Sequence, residues 1–300
     1  MSEPKPEMYS GGQLDAKPGA GQASGPDRAE SQCEPQARAE TATPDDAPPA
    51  LSVVIPVHNE AGNIAPLVAE IARSLDGRLR YEIVYVDDGS TDTTPQELRA
   101  AQREHPQLRT VRHRASCGQS TAVRTGVKAA RSSWIVTLDG DGQNDPADIP
   151  AMLAARDAAG RADVLVAGVR AARNDRIGKR LGSRLANRLR RWLLKDGARD
   201  TGCGIKLFPR AVFLDLPYFD HMHRFLPALF LRAGIAPVEQ LVNHRPRTRG
   251  RSHYGLIDRA LVGLVDLLGV AWLQRRAHLP VVETPVPLAG DQAHETKDTP

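Results

Sequence analysis

The sequence predicts an α/β fold with a mostly parallel sheet flanked by helices. Short aliphatic runs rich in β-branched residues recur along the chain, and the stretches between them place apolar residues at helical spacing. Aliphatic strands alternating with amphipathic helices imply a sheet buried on both faces. LSVVIPV over Leu51–Val57 opens the series as a strand, and His58-Asn59-Glu60-Ala61-Gly62 follows as a turn. Ile64, Leu67, Val68, Ile71 and Leu75 then form one apolar stripe, predicting a helix that covers the sheet. Residues 81–86 read as the second strand, residues 87–92 as a loop, 95–103 as a helix and 108–112 as a strand. A helix over 121–130, a strand over 134–138, a helix after Pro146 and a strand over 163–167 continue the alternation.

Residues 1–49 are rich in Pro, Gly, Ala, Ser and Glu with almost no aliphatic side chains, which predicts a disordered N-terminal tail. The remaining chain is long enough for one large α/β domain, placed at 50–255, with a helix at 256–276 and a second disordered tail at 284–300. The first tail holds nine acidic and four basic residues, so a whole-chain charge of +4 leaves residues 50–300 near +9. Such a basic body favours polyanions: phosphorylated substrates, anionic lipid or nucleic acid. An aromatic content of 4% offers few stacking platforms for single strands, which argues against nucleic acid. Cys33, Cys117 and Cys203 show no metal-ligand or disulfide spacing. With no basic segment followed by an apolar run at the N-terminus, the expected location is the cytoplasm.

In a parallel sheet, ligands sit beyond the carboxyl ends of the strands. Glu60 follows the first strand, Asp87 and Asp88 the second, and Asp139 and Asp141 the strand ending at Leu138, so all five share one rim. A loop Asp often serves only a turn or a cap. Several crowded carboxylates repel, however, and call for a cation or hydrogen-bond donors among them. Mg²⁺ or Mn²⁺ suits that role, since these ions use one or two carboxylates and complete their shell with phosphate oxygens. Asp139-Gly140-Asp141-Gly142-Gln143 could supply the ligands, with Asp141 and Gln143 on the same face of an extended segment.

Three motifs, in order and at matching spacing, resemble the successive signatures of family 2 glycosyltransferases with the GT-A fold. They are Pro56-Val57-His58-Asn59-Glu60, Val86-Asp87-Asp88-Gly89-Ser90-Thr91-Asp92, and Asp139-Gly140-Asp141-Gly142-Gln143. Gly118, Ala122 and Gly126 resemble the family's small-residue helix, with Gln119 where many members carry Lys. The resemblance implies that Pro56, Val57, Asn59, Glu60, Asp87, Asp88 and Gly118 bind a nucleotide-sugar donor. It further implies that Asp139 and Asp141 are catalytic and that, with Gln143, they hold the metal and diphosphate.

The acceptor side is read from charge. Residues 170–199 carry eleven Arg or Lys against two acids, and Arg176, Arg180, Arg184 and Arg188 step along one helical face. Ile177, Leu181, Leu185, Leu189 and Trp192 form a second stripe that a core-packed helix explains by itself; the charge excess instead asks for anions. Asp200 to Arg210 resembles a family segment in which an Asp and a small-residue turn precede Gly-x-x-Leu-Phe-x-Arg, with Cys203 where Ser is common. Arg247-x-x-Gly250-x-Ser252 resembles the basic loop of the polyprenyl-phosphate hexosyltransferase branch, which is dolichol-phosphate mannosyltransferase-like. Arg170, Arg180, Arg184, Arg247 and Ser252 are the acceptor-phosphate candidates that follow.

Residues 256–273 would span about 27 Å as a helix, short of a roughly 30 Å hydrocarbon core. Asp258 and Asp266 make spanning costly, so a helix lying at the interface or packed on the core is expected, with Arg275 and Arg276 near lipid headgroups. The resulting expectation is an inverting transfer of a hexose from a GDP-mannose-type or UDP-glucose-type donor to a polyprenyl phosphate. The enzyme would sit peripherally on the inner face of the cell membrane, against anionic lipid. A soluble family 2 enzyme with a hydroxyl acceptor, and a non-catalytic GT-A membrane binder, are the alternatives.

Overall fold

The computed structural model describes residues 47–170, 188, 190–246 and 256–278. Residues 1–46 and 279–300, most of the basic segment including Arg180 and Arg184, and the loop carrying Arg247 and Ser252 lie outside the described residues. One seven-stranded sheet organises the rest, in the order β3-β2-β1-β4-β6-β5-β7. Its first strands are β1 (Leu51–Val57), β2 (Tyr81–Asp87), β3 (Leu108–Arg112) and β4 (Trp134–Thr137). These four pair in parallel, with Val53 opposite Ile83 on one side and Val136 on the other. The central apolar residues of β1, β2 and β4, among them Val53, Ile55, Ile83, Val84, Ile135 and Val136, have no exposure because helices cover both faces.

Helices α1 (Ile64–Leu75), α2 (Thr94–Glu104) and α4 (Ile149–Ala158) pack on one face. The expected stripe of Ile64, Leu67, Val68, Ile71 and Leu75 is the buried face of α1. Helix α3 (Gln119–Ala129) covers the other face, where α5 (Arg210–Asp215), α6 (Leu226–Arg232) and α7 (Leu256–Arg275) join it. The second half of the sheet contains β5 (Val166–Arg170), β6 (Lys206–Pro209) and β7 (Val238–Val242). Strand β6 runs antiparallel between β4 and β5. The last predicted strand is displaced: Val164 and Leu165 are fully buried but irregular, and the ladder to β7 begins at Val166. Burial of Val164 and Leu165 ahead of the ladder produces the apolar signal there, and the Leu165 carbonyl already accepts the Val238 N–H at 2.8 Å.

Helix α7 packs and is exposed at once. Leu267, Val270 and Ala271 are buried against the second core cluster, while Val265 is 68% and Trp272 59% exposed. Among the described residues no helix is long and apolar enough to cross a membrane.

Close packing of α3 on β1 depends on Gly126. A Cβ there would stand 2.4 Å from Val54 Cγ1 and 3.1 Å from Val86 Cγ2, inside the sheet-facing layer. Gly126→Ala gains at most about 1 kcal/mol of helix propensity against about 1–3 kcal/mol of overpacking strain. Net destabilisation is expected, read as a lower urea midpoint at unchanged slope.

Candidate functional site

Strand order reverses between β1 and β4, leaving a crevice beyond their carboxyl ends. A cleft of about 840 Å³ opens there. Pro56, Val57, Asn59 and Glu60 line it from the end of β1, and Asp88 and Gly118 from the loops after β2 and β3. Asp139 and Asp141 enter from the end of β4, and Arg170 from the end of β5. Nine of the residues expected to act together therefore face one cavity. Asp87 and Gln143 do not line it. Asp87 is 1% exposed, accepts the Ser90 N–H at 2.9 Å and pairs with Arg112 at 3.2 Å, so it shapes the turn after β2. The Gln143 side-chain amide donates to the Arg245 carbonyl at 3.5 Å, and its main-chain N–H donates to Asp141.

Asp88 anchors the side of the cleft built from the loops after β2 and β3. Its carboxylate accepts hydrogen bonds from His113 Nδ1 (2.7 Å), Ser116 Oγ (2.8 Å), Cys117 N–H (2.8 Å) and Gly118 N–H (2.9 Å). Burial alone would raise its pKa; the donors, led by Cys117 N–H, outweigh that and hold the carboxyl below its ordinary value. Asp88, His113 and Cys117 approach one another closely enough for a metal. Both Asp88 oxygens are nevertheless committed to donors, so the cluster works as a hydrogen-bond hub. The β1 loop is stitched to the same strand end, with Asn59 Oδ1 accepting Thr91 N–H at 2.8 Å and the His58 ring meeting the Asp88 carbonyl at 2.8 Å.

Asp139 and Asp141 have a different environment. Burial pushes the Asp139 carboxyl up to about 6, and the Asp141 charge adds to the rise. Lys206, a 2.9 Å hydrogen bond from Gln119 Nε2, and Arg170 pull the other way. A carboxyl whose ionisation is opposed by a second carboxylate beside it, in an open cleft, fits a hard divalent cation such as Mg²⁺ or Mn²⁺. Asp139 and Asp141 would hold it, and it would neutralise diphosphate charge.

Arg170 is less available than its sequence suggests. Its Nε and Nη2 meet Asp200 Oδ2 and Oδ1 at 2.6 and 2.8 Å, a bidentate pair that raises the guanidinium pKa. Sequence reasoning missed Gln119 as a ligand of Asp139, and it missed Lys206, His223 and Arg224, which all line the cleft. Lys206 is 4% exposed and its ammonium donates to the Cys203 carbonyl. A charged residue inside the otherwise apolar run Ile205-Lys206-Leu207-Phe208 was its one visible signal.

The model of the family described as glycosyl transferase family 2 matches residues 52–216. The chain is 36% identical to a dodecaprenyl-phosphate galacturonate synthase from Rhizobium johnstonii, over 75% of this chain and 67% of that one. It is 32% identical to an undecaprenyl-phosphate 4-deoxy-4-formamido-L-arabinose transferase from Edwardsiella ictaluri, over 69% of this chain and 63% of that one. The chain thus spans about two thirds of the length of these curated relatives. Among solved structures it resembles glucosyl-3-phosphoglycerate synthase from Mycobacterium tuberculosis in complex with Mn²⁺, UDP and glucosyl-3-phosphoglycerate. The TM-score is 0.57 at 20% identity, over 78% and 81% of the two chains. A mannosyltransferase from Pyrobaculum calidifontis in complex with GDP-mannose and Mn²⁺ gives 0.56 at 23% identity, over 80% and 68%. The fold is GT-A.

Asp139 carries a pH signature in the metal-free protein. Its folded pKa of about 6 exceeds the ordinary 3.8, so its contribution to stability is complete below about 4 and is lost as pH rises through about 6. Unfolding of the chelator-treated protein is expected to show this fall between about pH 4 and pH 6. Asp139→Asn removes that component, and a profile unchanged in the variant would rule out the assignment.

Proposed function

Because the chain belongs to glycosyl transferase family 2, we propose that it transfers a sugar from a nucleotide donor to a polyprenyl phosphate, inverting the anomeric centre. The observation that carries this reading is the single cleft in which the β1 and β2 loop residues stand beside the Asp139–Asp141 pair. Two curated relatives of at least 32% identity carry polyprenyl-phosphate transferase or synthase names, which supports the acceptor class. Mg²⁺ or Mn²⁺ at Asp139 and Asp141 would stabilise the departing nucleoside diphosphate.

The attacking oxygen needs no deprotonation by the protein. A phosphate monoester has its second pKa near 6 and is largely dianionic at neutral pH, so a general base is dispensable. What the residues must supply is position and charge balance between two phosphorylated substrates. Pro56, Val57, Asn59, Glu60, Asp88 and Gly118 form the donor side. Arg170, Arg180, Arg184, Arg247 and Ser252 remain the acceptor-phosphate candidates drawn from the sequence. For the sugar, GDP-mannose and UDP-glucose types stand beside the hexuronate and amino-pentose derivatives in the relatives' names.

The acceptor lipid places the enzyme at a membrane surface, peripherally on the cytoplasmic face. The apolar side of α7 supports this, with Leu264, Val265, Leu268 and Trp272 exposed and Arg275 and Arg276 following them. Gln274 donates to the Leu194 carbonyl at 3.1 Å, tying α7 to the helical turn that carries Trp192, which is 73% exposed.

The decisive assay follows nucleoside diphosphate release from GDP- and UDP-linked sugars, a hexuronate included, with and without metal and a short polyprenyl phosphate. Release from one donor that requires both additions is expected; release without the lipid indicates hydrolysis or a hydroxyl acceptor. Asp141→Asn is expected to lose at least about 100-fold in turnover with an unchanged thermal transition. Co-sedimentation with anionic vesicles is expected to weaken in Leu268→Asp, and equal binding by that variant would exclude α7 as the contact.

A further inference from the structure

The cleft carries a pair of donors that the family motifs and the carboxylate rim do not account for. His223 and Arg224 line it from the single 3-10 turn Met222–Arg224. That turn is held on both sides. His221 takes the left-handed conformation (φ 63) and meets Asp266 of α7 at 3.1 Å, while the His223 main-chain N–H donates to Ser120 Oγ at 3.3 Å.

Ser120 also fixes the histidine ring. Its Oγ lies 2.7 Å from His223 Nδ1, in the first turn of α3 where Ser120 is 1% exposed. Two arrangements of protons are conceivable. If Nδ1 carries the proton, the ring donates to Oγ and the buried hydroxyl hydrogen has no acceptor among the described residues. If the hydroxyl donates to Nδ1, the buried hydroxyl and Nδ1 are both satisfied and the ring proton sits on Nε2. The second arrangement is the one that leaves no buried donor unmet. With Nδ1 turned into the helix, the ring meets the cleft through its Nε2–H edge. Burial, then the nearby charges of Lys206, Arg224 and His221, lower the imidazole pKa well below its ordinary value, so the ring stays neutral.

The ligand follows from the company this donor keeps. Arg224 is exposed and has no ion pair or side-chain hydrogen bond among the described residues, and Lys206 lies close enough to act on His223. Donors converge here, whereas the Asp139–Asp141 side is built of carboxylates suited to a cation and its diphosphate. Arg170, the sequence-derived acceptor residue that lines the cleft, is already engaged by Asp200. We propose that His223 Nε2–H, with Arg224 beside it, hydrogen-bonds an oxygen of the acceptor phosphate, and that Ser120 is the positioning residue that fixes the donor tautomer. This rests on the phosphate-acceptor reading of the cleft.

The experiment combines a spectrum with kinetics on the full chain. In ¹⁵N-histidine-labelled protein, His223 is expected to show the neutral Nε2–H tautomer, and Ser120→Ala to mix the two tautomers. Farnesyl monophosphate is expected to shift the Nε2 resonance, and nucleoside diphosphate with Mg²⁺ to leave it in place. In the transfer assay, His223→Leu is expected to raise KM for farnesyl monophosphate about tenfold or more with donor KM little changed. His223→Gln, whose amide N–H reaches the Nε2 position, is expected to recover much of that loss. An Nδ1–H tautomer, a resonance that follows the nucleotide and not the farnesyl phosphate, or a His223→Leu enzyme with unaltered acceptor KM would each overturn the assignment. A wild-type protein that transfers no sugar would defeat the phosphate-acceptor reading, while the farnesyl phosphate titration would still decide whether His223 binds a phosphate.

Discussion

Four hydrogen-bond donors converging on the Asp88 carboxylate hold together much of what this cleft does. Three come from the segment that leads into α3, and the fourth, His113, is tied in turn to Thr125 of α3 at 3.0 Å. Only a carboxylate suits the place, since an amide of the same shape would turn its own N–H groups toward some of these donors. By fixing Gly118 at φ 89, the hub sets where α3 begins. The next two residues then reach the two working sides of the cleft: Gln119 donates to Asp139, and Ser120 fixes the His223 ring. One buried side chain on a β-strand end therefore aligns Asp139 and His223, which are 84 residues apart in sequence (139 to 223).

The rim of the sheet was legible because its residues sit next to their strands. A carboxylate directly after an apolar run has its place in a parallel sheet determined by the run itself, so Glu60, Asp88, Asp139 and Asp141 could be put on one edge. Neighbourhood in sequence misleads when a turn consumes the side chain. Asp87 adjoins Asp88 but points into the Ser90 turn, and the Gln143 side-chain amide donates to Arg245, a contact across 102 positions. The wall formed by Lys206, His223 and Arg224 left almost no trace in the sequence. It depends on an antiparallel strand and a one-turn helix, neither of which has a periodicity long enough to read.

Charge balance explains why both carboxylates and cations are buried in one cavity. Charges of a single sign crowded into one cavity would repel and disfavour one another's ionised forms, so opposite charges are placed among them. Here the acids project from the ends of β2 and β4, while Lys206 and Arg170 come from β6 and β5, the strands beyond the order reversal. Burial lowers the Lys206 pKa, but Asp139 and Asp200 resist the change. Lys206 also favours the ionised form of Asp139. Each buried charge is thus maintained partly by the other, so removing one shifts the protonation of its partner as well as the local field.

Inserting β6 antiparallel between β4 and β5 brings this about, and it sets a steric condition. The chain reaches β6 through the turn from Asp200 to Gly204, which crosses directly over the end of β4. A Cβ on Gly204 would stand 2.1 Å from Asp139 Oδ2 and 2.6 Å from Asn144 Oδ1. Only backbone fits there. That closeness adds to the burial that raises the Asp139 pKa, and it brings Lys206 two residues later within reach of the same charge. The small-residue turn visible in the sequence therefore has a physical reason: a side chain at Gly204 would take the space that Asp139 Oδ2 and Asn144 Oδ1 occupy.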